Sequence, residues 1–82
     1  MSSMESQNPY RKPTCLVKEG SSGVIVKWVQ YELIQKGYVV TIDGQYGPKT
    51  KAAVVSFQRK NIKVLGEKGV DGIVGPHTLA IL

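Results

Sequence analysis

An all-α fold, a compact three-helix bundle, is predicted by three features of this 82-residue chain. The first is an internal pseudo-repeat. The segment Asp43-Gly44-Gln45-Tyr46-Gly47-Pro48-Lys49-Thr50 returns as Asp71-Gly72-Ile73-Val74-Gly75-Pro76-His77-Thr78, 28 positions later. The same register pairs Gln30 with Gln58, Val29 with Phe57, Ile34 with Ile62 and Ala52 with Ala80, and Val26, Val54 and Leu82 share the period. An internal repeat constrains a fold more than composition does. The second feature is apolar spacing of the helical kind, and the third is punctuation by Gly and Pro between the apolar segments. A motif present twice in so short a chain also points to scaffold over a catalytic centre.

The first helix is expected to begin near Ser21-Ser22, where either hydroxyl could cap free backbone amides. Val26, Val29 and Leu33 then fall on one face, and Gly37 supplies a positive-φ stop. The second helix begins at Pro48, a good first helical residue because its missing N–H would be unpaired anyway. It carries Ala53, Val54 and Phe57 and runs to about Lys60. The third begins at Pro76 with Leu79 and Leu82 on its apolar side. Val39-Val40-Thr41-Ile42 is β-prone but too short to build a sheet, so it reads as an extended pass that tucks Ile42 into the core. Val70 repeats that placement before Asp71. In each Asp-Gly-x-x-Gly-Pro turn the first Gly permits φ > 0 and the second lets the chain pivot closely into the helix. The Asp side chain can accept local backbone N–H groups. The predicted core is Val26, Val29, Leu33, Ile42, Val54, Phe57, Val70 and Leu82.

Residues 1–14 have almost no apolar content and read as a disordered leader or linker, with one domain over residues 15–82. About 68 residues suffice for one small core. Met1 to Lys12 lacks an apolar h-region, so no signal peptide is expected, and no run approaches a membrane span. The net charge of +5 is spread over scattered lysines and arginines. That favours loose attraction to anionic surfaces, nucleic acid or bacterial wall polymer among them. One Cys and one His allow neither an internal disulfide nor an ordinary zinc site.

The linked motifs resemble the bacterial peptidoglycan-binding domain found beside cell-wall hydrolases. Val17, Gly20, Ser21, Gly23, Val26, Val29, Gln30 and Leu33 match its first part. Asp43, Gly44, Tyr46, Gly47, Thr50, Ala53, Val54, Phe57 and Gln58 match the second, and Asp71, Gly72, Val74, Gly75, Thr78 and Leu82 the third. Val17 and Val29 stand in place of leucines, Tyr46 in place of Phe, and a longer segment, Lys63 to Lys68, precedes the second Asp-Gly. The resemblance implies a three-helix fold and non-catalytic binding to peptidoglycan glycan or stem peptide. It further implies a covalently linked hydrolase, autolysin or endolysin that the module targets to its substrate. The implied setting is extracellular or the cell wall, a phage endolysin origin included, and no cofactor is implied.

Asp43 and Asp71 could form an acid–base pair, but their equivalent turn positions argue for structure. A calcium loop fails because Thr41 and Val39 stand where ligands are needed. Gln30 and Gln58, beside core residues, are expected to tie down neighbouring loops. His77 reads as a surface position in the last helix. Trp28 and Tyr31 lie off the Val26/Val29/Leu33 face and would make an aromatic strip that stacks on sugars or docks protein; Trp28 folding over the N-terminal segment to close the core edge is the other reading. The expected ligand surface is therefore Trp28 and Tyr31, with Lys27 and Gln35 beside them and Tyr38 at the edge. The loop face of Asp43, Tyr46 and Thr50 is the second candidate, although Tyr46 is expected to bury its ring and leave its hydroxyl near the surface. Two other classes stay open: a protein-interaction module like the pro-segments of some metalloproteases, and, on charge alone, a small nucleic-acid binder. No nucleophile–base–acid set suggests an enzyme.

Overall fold

The computed structural model describes residues 8–82. Four helices appear in chain order: α1 (Val24–Gln35), α2 (Pro48–Lys60), α3 (Ile62–Leu65) and α4 (Pro76–Ile81), with a 3-10 turn at Glu67–Gly69 before the last. Among the described residues there is no strand longer than an isolated bridge; Val17 pairs antiparallel with Val74, and Ser22 with Gln45. The all-α bundle is as predicted, with α1 packed on α2. The addition is α3. Sequence separation from Gln30 to Asp43 and from Gln58 to Asp71 is 13 in both cases. The segment before the second Asp-Gly is thus not longer than its counterpart here. It is wound into α3 and the 3-10 turn, whereas residues 38–42 form no regular element.

The helix ends follow local chemistry. Gly37 closes α1 at φ +95, with Gly37 N–H donating to Ile34 O and Tyr38 N–H to Leu33 O, the paired bonds of a Schellman cap. Pro48 and Pro76 open α2 and α4. Asn61 ends α2 by turning its side-chain amide back to Phe57 O at 2.8 Å. The expected serine cap on α1 is absent: the N-cap is Gly23, at φ 107. Ser22 pairs through its backbone with Gln45 and makes no cap bond, and Ser21 Oγ accepts from Lys18 N–H.

Val26, Val29, Leu33, Val54 and Phe57 fill the core as predicted, joined by Val17, Trp28, Tyr46, Ala53 and Val74. Ile42, Val70 and Leu82 are only half-buried. Their place is taken by Val17 and Val74, whose reciprocal backbone bonds of 3.1 and 2.7 Å carry both side chains inward. Residues 8–14, read above as part of a disordered leader, lie along α1; residues 1–7 fall outside the described residues. Asn8 holds the segment in place. Its amide donates to Trp28 O and to Glu32 Oε2, each at 3.0 Å, and its Oδ1 accepts from Tyr10 N–H. Pro13 is buried.

The two Asp-Gly turns carry the conformational constraint. Gly44 and Gly72 both sit at φ +75. A Cβ at Gly72 would lie 3.0 Å from Lys51 Cε and 3.2 Å from its Cγ. Gly47 and Gly75, by contrast, have φ of −106 and −97, which any residue adopts, and a Cβ at Gly47 meets nothing within 4 Å. The close pivot expected of these second glycines is therefore not a backbone requirement. Gly72→Ala is expected to lower stability by about 1–3 kcal/mol through its left-handed backbone and the crowded Lys51 stem. Gly47→Ala should stay within about 0.5 kcal/mol of the parent, or gain slightly from a stiffer unfolded chain. Urea unfolding of the two variants side by side checks the contrast.

Candidate binding site

Each Asp-Gly turn is held from inside by one glutamine. Gln30 is 1% exposed and Gln58 is 0% exposed. Gln30 Oε1 accepts from Asp43 N–H and Gly44 N–H at 3.1 and 3.0 Å. Its Nε2 faces Asp43 Oδ1, Gln45 O and Thr50 Oγ1 at 2.9, 3.1 and 3.1 Å. Gln58 makes the same set one turn later: Oε1 accepts from Asp71 and Gly72 N–H, and Nε2 reaches Asp71 Oδ1, Ile73 O and Thr78 Oγ1. Each Asp closes its own loop as well, Asp43 Oδ1 taking Gln45 N–H at 2.9 Å and Asp71 Oδ1 taking Ile73 N–H at 3.0 Å. No buried side-chain nitrogen or oxygen among the described residues lacks a partner.

This network decides the fate of the loop residues nominated from sequence. Thr50 is buried and spends its hydroxyl oxygen on Gln30. Tyr46 buries its ring, and its hydroxyl donates to Gly72 O at 2.6 Å, tying one turn to the other. The hydroxyl is therefore not near the surface, because the second turn folds over it. Burial, reinforced by the charges of Asp71 and Glu19, pushes it above the ordinary tyrosine range and keeps it a donor. Asp43 is exposed. The Gln30 amide and then the Gln45 N–H hold its carboxyl below the usual range.

The exposed aromatic strip expected on α1 does not hold for Trp28, which is 8% exposed. Residues 8–13 lie across it, and the Lys12 ammonium stands 5.9 Å from its ring centroid. Tyr31 is half-buried, with the Tyr10 ring edge-on at 6.2 Å, and Lys27 stands 6.0 Å from that same Tyr10 ring. Gln35 is exposed, and Tyr38 is half-buried, edge-on to Phe57 at 6.4 Å. Lys27, Tyr31 and Gln35 thus share α1 with a Trp28 that belongs to the core.

A hollow lies elsewhere, beside the second Asp-Gly turn. A cleft of about 370 Å³ is bounded by Leu16, Leu65, Lys68, Asp71, Ile73 and His77, and Gly75, Pro76 and Thr78 also line it. α3 and the 3-10 turn raise one wall, the chain before Val17 another. Sequence reasoning missed these residues. The signal available was the Lys63–Lys68 segment, whose residues differ in type from their counterparts at positions 35–40 of the first repeat. Among the described residues no three of His, Cys, Asp and Glu gather as a metal site, and no helix is long and apolar enough to cross a membrane.

Two glutamine-clamped turns over a small helical bundle define the scaffold. The family model described as "Putative peptidoglycan binding domain" matches residues 22–82, and the chain belongs to that family. It is 43% identical over 65 residues to a zinc D-Ala-D-Ala carboxypeptidase of Streptomyces albus G, covering 76% of this chain and 24% of the relative. It is 42% identical over 66 residues to a probable N-acetylmuramoyl-L-alanine amidase of Bacillus licheniformis, covering 77% of this chain and 17% of the relative. The matches thus span about a quarter or less of those curated relatives. A crystal structure of a peptidoglycan-binding protein from Clostridioides difficile, in complex with glutamine hydroxamate, superposes with TM-score 0.74 at 44% identity, over 83% of this chain and 40% of that one. A fused Zn-dependent amidase/peptidase/peptidoglycan-binding domain-containing protein from Clostridium acetobutylicum ATCC 824 superposes with TM-score 0.72 at 40% identity, over 85% and 29% respectively.

The clamp and the lowered Asp43 carboxyl generate two expectations. Gln58→Ala leaves the buried Gly72 N–H without its acceptor and opens a void, so a loss of about 2–4 kcal/mol is expected in chemical unfolding. For Asp43 the folded carboxyl titrates below the unfolded one. Its contribution is therefore complete above the unfolded pKa and is lost as pH falls through the folded value. Thermal melts from about pH 6 to about pH 2 should show a shallower decline in Asp43→Asn than in the parent chain.

Proposed function

We propose that the chain is a non-catalytic module that holds an attached cell-wall hydrolase on peptidoglycan, at the cell wall or outside the cell. The observation that carries the reading is the family match over residues 22–82, together with relatives named as cell-wall enzymes in which this unit is a minor part. The internal geometry supports it. The polar groups closest in type to catalytic residues, Asp43, Thr50, Asp71 and Thr78, are engaged in holding the turns. The gain to a tethered enzyme is local concentration rather than a faster chemical step, and repeated engagement of a polymer strengthens a modest single contact. The net charge of +5 suits a wall rich in carboxylates and phosphates. Two surfaces are available: the cleft at the second turn, and the α1 face of Lys27, Tyr31 and Gln35 with Tyr38 at its edge.

Co-sedimentation with purified insoluble peptidoglycan tests the module reading. Retention that survives about 0.3 M salt is expected, whereas purely electrostatic adhesion would wash away. Recovery in the supernatant at all protein concentrations would sink it. Retention by DNA with a steep salt slope and none by wall material would move the chain to nucleic acid.

A further inference from the structure

We infer that the cleft beside the second Asp-Gly turn takes the peptide part of the wall polymer: a short peptide with small aliphatic side chains, a carboxylate and a free amine. This rests on the peptidoglycan reading above and assigns the ligand chemistry of one of its two surfaces. The lining divides into three kinds. Leu16, Leu65 and Ile73 offer aliphatic surface, suited to methyl side chains. Lys68 supplies a cation and His77 an imidazole, both exposed at the rim, for a carboxylate. Asp71 supplies the opposite charge. Its Oδ1 is occupied by Ile73 N–H and Gln58, and its Oδ2 has no hydrogen-bond partner among the described residues, which leaves an acceptor for an ammonium group. The described residues that line the cleft include no Tyr, Trp or Phe, the side chains on which sugar rings stack.

The two repeats differ at this place. Positions 28 earlier than Leu65, Lys68, Ile73 and His77 are Gly37, Val40, Gln45 and Lys49. The first turn has the same clamp but lacks the leucine wall, so the cleft is not a by-product of the scaffold. The wall is also preformed. A Cβ on Gly69 would fall 2.7 Å from Leu65 Cβ, so Leu65 is seated directly against that glycine. Leu16 keeps 54% of its surface exposed across the opening, although it adjoins the fully buried Val17. A volume of about 370 Å³ lies at the small end of ligand sites and has room for a short peptide.

The test uses the intact chain and two soluble probes: a synthetic peptide containing an acidic residue and a diamino acid and ending in D-Ala-D-Ala, and peptide-free glycan strands. Amide shifts in NMR titrations are followed alongside co-sedimentation with whole peptidoglycan. The peptide is expected to move Leu65, Lys68, Ile73 and His77, and the glycan to leave them unmoved. Leu16→Glu and Lys68→Glu, both at exposed positions and checked for fold by circular dichroism, are expected to weaken peptide binding about tenfold each. Wall retention with shifts from glycan alone, or with peptide shifts confined to the Tyr31 face, overturns the inference and leaves the module reading standing. Peptide shifts at the cleft without wall retention keep the inference as a peptide site and remove the module reading. Neither retention nor peptide shifts overturns both.

Discussion

Two buried glutamine amides hold this protein together. A glutamine buried without partners would oppose folding, since an unpaired amide costs a few kcal/mol to desolvate. Here each side chain answers its own burial: the carbonyl oxygen accepts from the two N–H groups at the tip of an Asp-Gly turn, and the amide N–H groups donate toward the Asp carboxylate, a loop carbonyl and a helix threonine. One side chain thus anchors a turn, the start of the next helix and the helix it stands on. Because the set is made twice, a chain with few core residues gains two fixed loops. The loops in turn position everything else. Tyr46 crosses from the first to the second, and the stretch around residues 17–23 bonds to both through Val17, Gly20 and Gly23.

The same arrangement explains why the polar residues most suggestive of chemistry are poor candidates for it. Asp43 and Asp71 stand at the surface, yet each has one oxygen committed to the turn. Thr50 and Thr78 are inside. What the scaffold leaves to a ligand is surface that the clamps do not use. The repeat then matters for a second reason. A duplicated turn with a different approach segment is a natural way to build a cleft on one side only, and α3 with its following 3-10 turn is that difference.

Much of the architecture was legible because it depends on local chemistry. Gly37, Pro48 and Pro76 marked helix ends correctly, since φ > 0 and a missing N–H are properties of single residues. The roles of Gln30 and Gln58 followed from a polar residue repeated beside core positions. The errors arose where a residue had several partners to choose from. The Ser21 hydroxyl could cap α1 or accept from Lys18 N–H, and the turn bond won. Trp28 could face solvent or close the core edge, and the segment from Asn8 to Pro13 decided for burial.

The amino-acid order by itself therefore determined the all-α class, the 28-residue repeat, the two positive-φ turns and most of the α1–α2 core. Each of these is written in periodicity or in residues with few conformational options. Tertiary structure alone decided that Val17 and Val74 would be central, that the Tyr46 hydroxyl would end on Gly72 O, and that the cleft would lie between Leu16, Leu65 and His77. Those outcomes join positions far apart in the chain, and no local preference encodes which distant neighbour completes the packing or the hydrogen bond.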